Sequence, residues 1–280
     1  MIRRPPRSTH CISSAASDVY KRQVLQRRVK NDEELEHLRA VQKITEATME
    51  MACSLIGRSP ADAEGVLQHE GAALTSERVR QLISRFVLDH DCTTLHDSIV
   101  VTVPHVADCH HFGTGPLRRD LPVIVDIFPT HNHTHYCGDC TRTVVNGDVS
   151  DIVRDMHACV VRANAVGCAA VQPGTTGQGV HEAVAAVIRE GGYSMGAPTS
   201  EKDEEWIGMR HGTGHGIGLD VHEPILLATG GGEILEREVF TVEPGLYSAI
   251  HGGVRVEDMV AVTATGHENF NQLHSELDWR

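Results

Sequence analysis

Residues 123–145, VIVDIFPTHNHTHYCGDCTRTVV, decide the fold. The stretch begins with an apolar run that only Asp126 interrupts, continues through a polar segment and ends in a second strand-like run. Two such runs around a short polar segment predict a β-hairpin. A turn centred between Asn132 and His133 places Asp126 directly opposite Asp139, with their Cβ atoms about 5 Å apart.

Asp126 and Asp139 would repel each other at that distance unless a proton or a cation lies between them. An acid inside an apolar strand is also costly to bury without a partner. The alternative is a hairpin whose two acids lie on a solvated polar face. The apolar surroundings of Asp126 favour the buried, partnered pair.

A second pair of acids follows the same pattern in the C-terminal half. Glu243 lies in EVFTVEPGLY and Glu257 lies in GGVRVEDMVAVT, with the Gly-bearing turn signal SAIHGG between them. A fold about Ile250 places the two glutamates opposite each other. Four carboxylates can bind one or two hard divalent cations, and one imidazole would complete the ligand set.

The candidate imidazoles lie in HGTGHGIGLDVHE, which contains His211, His215 and His222. The spacing alone does not choose among them. The alternating glycines of this segment allow the backbone to approach a ligand or a neighbouring strand closely. A phosphate-binding loop is the competing interpretation, but the strand, GxGxxG and helix context that it needs is missing.

These motifs together resemble the pita-bread metallopeptidases, the superfamily of methionine aminopeptidase, Xaa-Pro aminopeptidase and prolidase. The likeness runs in order from about residue 24 to the C-terminus, through D-x-T-R-T, HGTGHGIGLDVHE, TVEPGLY and GVRVED. The T-R-T and R-V-E-D segments are more similar to the Xaa-Pro branch. The resemblance implies an α+β pita-bread (creatinase/aminopeptidase) fold, with a pseudo-symmetric curved antiparallel sheet covered by helices.

The resemblance also implies roles for particular residues. The ligands of a two-metal centre would be Asp126, Asp139, His215, Glu243 and Glu257, with Asp139 and Glu257 bridging the ions. His211 and His222 would line the substrate pocket, although a structural role for His211 stays open.

Two further site residues come from the same likeness. His110 would contact the substrate and stabilise the transition state. Cys109 replaces the usual proline before it, so the adjacent His111 is an alternative. The competing interpretation is that both are surface-loop histidines. Arg255 lies on the strand face of Glu257 and would orient a carboxylate or receive the substrate's terminus. Arg142 has the opposite strand parity from Asp139, which indicates a structural ion pair beneath the site.

The implied reaction is metal-dependent hydrolysis of an N-terminal Xaa-Pro bond. Two cations, Mn²⁺ or Co²⁺ before Fe²⁺ or Zn²⁺, would activate a shared water. Glu243 would relay the proton, and His222 or His110 would donate to the oxyanion. The rival hypotheses are a methionine-aminopeptidase-like enzyme, a creatinase-like hydrolase, and a non-catalytic binding relative, which the five competent ligand positions disfavour.

Composition limits the partners. The 280 residues are 40% hydrophobic, which is enough to form one large domain. A net charge of −13 without a basic stripe argues against nucleic acid. No run reaches the roughly 18 apolar residues of a membrane span. We therefore expect a peptide substrate, no membrane, and leave a homodimer open.

The first 23 residues do not resemble the rest of the chain. They are basic and rich in proline and serine, which suggests sequencing-adapter read-through, with a disordered basic arm as the alternative. Residues 24–280 are then the catalytic domain. Xaa-Pro enzymes usually carry an extra N-terminal domain. The sequence does not decide whether such a domain is missing from this chain. The acidic stretch at 200–206, SEKDEEW, is interpreted as a solvated loop.

The eight cysteines predict a reducing, cytoplasmic environment, because the sequence shows no signal peptide. Cys137 and Cys140 form a CxxC motif that could hold zinc or form a dithiol. Residues three apart in a strand point to opposite faces, and no second CxxC follows. We therefore expect free thiols and no cysteine metal site.

The remaining pattern alternates helices and strands. Apolar spacing predicts a helix from about Asn31, capped by Asn31 or Asp32, and a second helix capped by Ser76. Residues 98–104 are a strand candidate. Two more helices follow the first hairpin, one capped by Ser150 and one that ends at Gly191, so that each half of the chain combines helices with one hairpin.

Overall fold

The structure is a computed structural model that describes residues 22–198, 203 and 205–280. The predictions for residues 1–21 and for most of the stretch at 200–206 lie outside these residues. Residues 22–28, which include the last two positions of the N-terminal segment, are helical. Across the described ranges, we find no helix with the length and apolarity that crossing a bilayer requires.

Four longer helices follow, and their caps explain where they begin. They are α1 (Asp32–Arg58), α2 (Ser76–Leu88), α3 (Asp151–Ala170) and α4 (Gly177–Glu190). The predicted cap at Asn31 is confirmed, since its side chain and that of Glu34 form a capping box. The cap at Ser150 is confirmed as well.

The cap predicted at Ser76 is wrong by one residue. Thr75 caps α2, because its extended backbone (φ −114°) lets its hydroxyl accept a hydrogen bond from the Arg78 N–H. Ser76 is already helical, and its N–H donates to the carbonyl of Gly115 at 3.0 Å. Thr75 keeps an extended backbone, whereas Ser76 is already the first residue of the helix. The Thr75 side chain is therefore the one that caps α2.

The strands are short, and three sheets contain most of them. In chain order they are β1 (Gln68–His69), β2 (Ala72–Ala73), β3 (Cys92–Thr93), β4 (Ile99–Val101), β5 (Pro122–Ile127), β6 (Thr130–His131), β7 (Cys140–Val145), β8 (Ser194–Met195), β9 (Gly208–Met209), β10 (Gly214–Gly216), β11 (Glu223–Leu227), β12 (Val239–Val242), β13 (Gly245–Ser248), β14 (Gly252–Arg255), β15 (Asp258–Thr263) and β16 (Gly266–Asn269).

The sheet orders are β4-β5-β7, β14-β13-β9-β8 and β11-β10-β12-β15-β16, with β1-β2 and β3-β6 as separate pairs. The antiparallel α+β architecture agrees with the predicted fold. One pair departs from it, because β8 and β9 run parallel.

The first hairpin forms, but its predicted register is wrong by two residues. Asp126 lies opposite Thr141, and Asp139 precedes the first residue of β7. The physical reason is the tip, where the His135 N–H donates to the His131 carbonyl at 2.9 Å and His135 has φ 63°. This wider turn moves the centre of the hairpin. A shift of two keeps both acids on one face, since strand parity has period two.

The register predicted for the second half is confirmed. Gly245 pairs with Arg255 in β13–β14, and Val242 pairs with Asp258 in β12–β15. Both pairings share the centre at residue 250. Glu243 and Glu257 lie at the junction between these two ladders, where the strands pass from one sheet to the other.

A single backbone bridge joins the two halves at the acids. Thr141 of the first hairpin bridges Glu257 of the second, whose N–H donates to the Thr141 carbonyl at 3.1 Å. Arg142 lies beneath this bridge and is 1% exposed. It donates to the Glu257 carbonyl at 2.7 Å and pairs with Asp258 at 2.8 Å, which confirms the structural ion pair predicted for it.

Apolar clusters pack the helices against the two halves of the structure. One cluster joins α1 and α2 to β5 and β7 through residues such as Ile56, Ile83 and Val125. A second joins α3 and α4 to the other half through residues such as Val160 and Leu246. The acids therefore lie between two packed layers.

The predicted close backbone approach is found at Gly214 in β10. A Cβ atom at this position would lie 1.9 Å from the carbonyl oxygen of Thr241, which is far inside van der Waals contact. Only glycine allows β10 to pair with its neighbours here while presenting His215 next to it.

We expect Gly214→Ala to destabilise the protein by about 1–3 kcal/mol or more, because the methyl group must push two ladders apart. The matched control is Gly266→Ala, since a Cβ there meets nothing within 4 Å. Urea unfolding midpoints measure both variants. Equal midpoints for the two variants would contradict the close approach.

Candidate active site

All five residues that the sequence predicts as metal ligands line one cavity of about 750 Å³. Asp126, Asp139, His215, Glu243 and Glu257 all line it. The predicted substrate residues His110, His211, His222 and Arg255 line it too. Side chains from both halves of the chain thus meet at one place.

The distances between the predicted ligands are short. Candidate donor atoms of Asp139, His215 and Glu257 lie within 4.8 Å of one another. His215 Nε2 lies 3.8 Å from Asp139 Oδ2 and 3.6 Å from Glu243 Oε1. These separations are suited to donors that share a cation rather than to direct hydrogen bonds.

His215 presents the ring nitrogen that a cation needs. Its Nδ1 lies 3.1 Å from the carbonyl oxygen of Gly216, so Nδ1 carries the hydrogen and donates it. The lone pair then lies on Nε2, which faces Asp139 and Glu243. A backbone carbonyl that fixes the tautomer is typical of metal-binding histidines.

Arg255 holds Asp126 in place. Its Nη2 donates to Asp126 Oδ2 at 2.7 Å, and both side chains are buried. This contact is the carboxylate-orienting role considered for Arg255. The other oxygen of Asp126, Oδ1, is buried and has no hydrogen-bond partner among the described residues. A buried carboxylate oxygen without a partner is costly, and a cation would satisfy it.

The backbone of Asp139 is fixed from helix α1. Gln42 accepts from the Asp139 N–H at 3.0 Å and donates to its carbonyl at 2.7 Å. Asp139 lies before β7 and has no ladder partner of its own, so this amide takes the place of a neighbouring strand. Sequence reasoning treated Gln42 only as part of the helix.

Two more supporting residues were missed in the sequence. Thr141 donates its hydroxyl to Glu257 Oε2 at 2.7 Å. Tyr247 accepts from Arg255 Nη1 at 2.9 Å. Strand parity could have found both residues. Thr141 lies two residues after Asp139, and Tyr247 lies four residues after Glu243, so each has the same parity as a predicted ligand.

Burial and mutual repulsion raise the pKa values of the acids. Burial raises the pKa of Asp139 well above its usual range, and Glu257, Asp126 and Glu243 raise it further. Burial does the same to the pKa of Glu257, with Glu243 and Asp126 adding to it. Burial raises the pKa of Glu243 to about 8, although Arg255 opposes the shift. A cation would relieve this repulsion and favour the ionised forms.

His211 has both ring nitrogens occupied by protein partners. Its Nδ1 lies 2.7 Å from the Gly212 carbonyl and its Nε2 lies 2.7 Å from the Tyr247 hydroxyl. Burial lowers its pKa to about 3, and Arg255 lowers it further, so the ring is neutral. Nδ1 donates, Nε2 accepts from Tyr247, and no nitrogen is left for a substrate. This geometry favours the structural role that was left open for His211.

His222 and His110 both line the cavity. The ring of His222 contacts that of His215 edge-on, with centroids 4.2 Å apart, after the chain bends between the two residues. His110 lines the cavity, whereas His111 stacks on His105 with centroids 4.4 Å apart and is not among the lining residues. His110 is therefore the member of the adjacent pair that a substrate can reach.

The CxxC cysteines do not form a pair. The Cys137 thiol lies 3.4 Å from the Thr130 hydroxyl, while the Cys140 thiol lies 3.8 Å from the Glu257 carbonyl. Seven cysteines fall in the described part of the chain, and each is a free, buried thiol there.

Apolar side chains form the outer wall of the cavity. Exposed or half-exposed members of this wall are Leu95, Phe112, Phe128, Leu219, Val221 and Leu226. The cavity thus joins a floor of acids to an apolar entrance. Such a combination suits a peptide whose scissile bond reaches the acids while its side chains contact the wall.

Comparisons with known proteins identify the family of the chain. The sequence profile of metallopeptidase family M24 matches residues 36–264. The uncharacterized peptidase YqhT of Bacillus subtilis is 37% identical over 143 residues, which is 51% of this chain and 37% of that protein. The probable dipeptidase PepE of Mycobacterium tuberculosis is 35% identical over 181 residues, 64% of this chain and 45% of its own.

A solved structure of a related enzyme has a similar fold. The Xaa-Pro dipeptidase from Bacillus anthracis superposes with a TM-score of 0.76 at 28% identity, covering 91% of this chain and 64% of that one. The chain therefore spans less than two thirds of the length of each of these three relatives.

We expect Gln42→Met to destabilise the protein by about 1–3 kcal/mol, because it leaves the buried N–H and carbonyl of Asp139 without partners. Lys43→Met, at the exposed neighbouring position of the same helix, is the matched control and should change little. Urea unfolding midpoints measure both variants. A Gln42→Met midpoint equal to that of the control would contradict the stabilising role of the two hydrogen bonds between Gln42 and the Asp139 backbone.

Proposed function

The chain belongs to metallopeptidase family M24, and on that premise we propose that it is a metal-dependent peptidase that hydrolyses Xaa-Pro bonds at the N-terminus of peptides. The observation that carries the proposal is the convergence of four carboxylates and one imidazole on a single cavity. Two of the relatives, a probable dipeptidase and an Xaa-Pro dipeptidase, support the substrate class.

The donors fit hard divalent cations. Asp126 Oδ1 has no partner among the residues that the structure describes, and His215 presents a lone pair on Nε2. Both atoms favour a positive charge beside them. We propose that Asp126, Asp139, His215, Glu243 and Glu257 would hold two divalent ions. A mostly carboxylate set favours Mn²⁺ or Co²⁺ over softer ions, with Fe²⁺ and Zn²⁺ as alternatives.

The chain's own residues then perform the remaining tasks. When bound, the ions would polarise the scissile carbonyl and lower the pKa of a shared water. Glu243 takes the proton of the attacking water and passes it to the leaving nitrogen. His222 or His110 donates to the developing oxyanion. Arg255 keeps Asp126 oriented, and the apolar wall keeps bulk water away from the floor.

The surroundings of the protein are also part of the proposal. Seven described thiols are free and buried, which supports a reducing, cytoplasmic compartment. A homodimer stays open to measurement by sedimentation or light scattering.

Metal binding should stabilise the fold. Mn²⁺ at 100 times its dissociation constant is expected to add about 2.7 kcal/mol to the free energy of unfolding, because only the folded chain assembles the site. Glu257→Gln should abolish most of this gain, whereas Glu190→Gln, at an exposed helix end, should retain it. Thermal unfolding with and without chelator measures the effect, and no shift on adding Mn²⁺ would contradict the proposed centre.

Hydrolysis tests the substrate. After chelation and addition of Mn²⁺ or Co²⁺, the protein should cleave Xaa-Pro dipeptides and tripeptides faster than Met-Ala peptides. Faster cleavage of Met-Ala would favour the methionine-aminopeptidase rival, and turnover of creatine without peptide cleavage would favour the creatinase-like one. A chain that contains no metal and hydrolyses none of these peptides would favour the non-catalytic binding relative.

A substitution of His222 separates catalysis from metal binding. His222→Asn should lower kcat about 10²–10³-fold if this ring donates to the oxyanion, while metal content stays unchanged. His267→Asn, at an exposed strand position, is the control. An unchanged kcat for His222→Asn would assign the donor role to His110.

A further inference from the structure

A second group of ligand-type side chains lies at the edge of the same cavity. Candidate donor atoms of Asp108, Cys109 and His110 lie within 4.8 Å of one another. Cys109 and His110 line the cavity. The carboxylate floor of the cavity consists of Asp126, Asp139, His215, Glu243 and Glu257. None of these five residues belongs to the second group.

The spacing of the two softer donors is suited to one ion. Cys109 Sγ lies 3.8 Å from His110 Nδ1. Sulfur and nitrogen ligands of a tetrahedral zinc ion, at about 2.3 and 2.0–2.1 Å from the metal, are roughly 3.6 Å apart. The thiol and the imidazole therefore need almost no movement to share an ion.

The backbone of this segment is held in place on both sides. The Cys109 carbonyl accepts from Arg255 Nη1 at 3.4 Å, and the residue is 8% exposed. The Asp108 N–H donates to the carbonyl of His105, and the Asp108 side chain accepts from the His110 N–H at 3.1 Å. The backbone that carries the three donors is thus held before any ion arrives, which lowers the ordering entropy that opposes binding.

We propose that Asp108, Cys109 and His110 form a site for a soft or borderline divalent cation such as Zn²⁺ or Cd²⁺, distinct from the carboxylate floor. Thiolate and imidazole prefer such ions, whereas the carboxylate floor prefers harder ones. Three protein ligands leave one tetrahedral position for water. Occupancy also removes the His110 ring from the substrate, so the site inhibits the enzyme; this last step rests on the proposed function.

The binding step is a simple exchange. The Cys109 S–H bond breaks, a metal–sulfur bond forms, and the proton leaves to solvent. No electron is transferred, and the ion comes from solution. Excess Zn²⁺ therefore acts as an inhibitor at a place that Mn²⁺ has little affinity for.

Cys137 is the competing thiol, because it also lines the cavity. Its sulfur lies near the Thr130 hydroxyl and the Leu219 carbonyl, at 3.4 and 3.8 Å. In the described ranges, it belongs to neither of the two groups of three donors that satisfy the 4.8 Å criterion. Cys137→Ser is thus the matched control for Cys109→Ser.

The test uses the full chain loaded with Mn²⁺ and titrated with Cd²⁺. The wild-type protein should develop thiolate-to-Cd²⁺ charge-transfer absorbance that saturates at one ion per chain. Cys109→Ser should lose this absorbance and Cys137→Ser should keep it. The Zn²⁺ concentration for half-inhibition, measured relative to each variant's own rate, should rise at least tenfold in Cys109→Ser.

The same absorbance in Cys109→Ser, or its loss in Cys137→Ser alone, would overturn the proposal. Should Cys109→Ser fail to fold, Asp108→Asn gives the decision: weaker Cd²⁺ binding supports the site and unchanged binding refutes it. A chain that cleaves no peptide but shows the Cys109-dependent absorbance would refute the proposed function and retain this site.

Discussion

Four carboxylates in one largely buried cavity are the constraint on which the structure depends. Burial and mutual repulsion both favour the protonated forms, as the raised pKa values of Asp139, Glu243 and Glu257 show. A fold that brings these acids together must hold them against that repulsion. It does so through the backbone bridge between Thr141 and Glu257, which joins the two hairpins where the acids lie.

Beneath the acids lie partners that fix one atom each of Asp126, Glu257 and His215 and leave another atom of each facing the cavity. Arg255 takes one oxygen of Asp126, and the other stays without a partner in the described structure. Thr141 takes one oxygen of Glu257. The Gly216 carbonyl takes one nitrogen of His215. The remaining donors point to a common place, which is the arrangement that cation binding needs.

The cavity combines regions of different chemical hardness. Its floor offers carboxylates and one imidazole, while its edge offers the thiol of Cys109 beside His110. Metal ions of different softness should therefore distribute between these places rather than compete for one. Most of the apolar wall that connects them lies in loops, and Leu226 of the wall belongs to strand β11.

The sequence by itself predicted the helices and the candidate site residues, which line one cavity in the structure. The parity of strands fixed which face each acid occupies, because side chains alternate with period two whatever the register. The register of the second hairpin also followed from its sequence, since Gly-bearing SAIHGG allows a symmetric turn. The helix at Asn31 followed from local capping chemistry.

Only the tertiary structure decided the register of the first hairpin. The same holds for the hydrogen bonds of Gln42 to the Asp139 backbone and for those of the His211 ring to Tyr247 and Gly212. Each depends on atoms far apart in the chain or on the conformation of a turn. Residue 42 and residue 139 meet because helix and hairpin pack together. Local sequence carries no signal for such contacts, since their energy arises only once the two halves have packed.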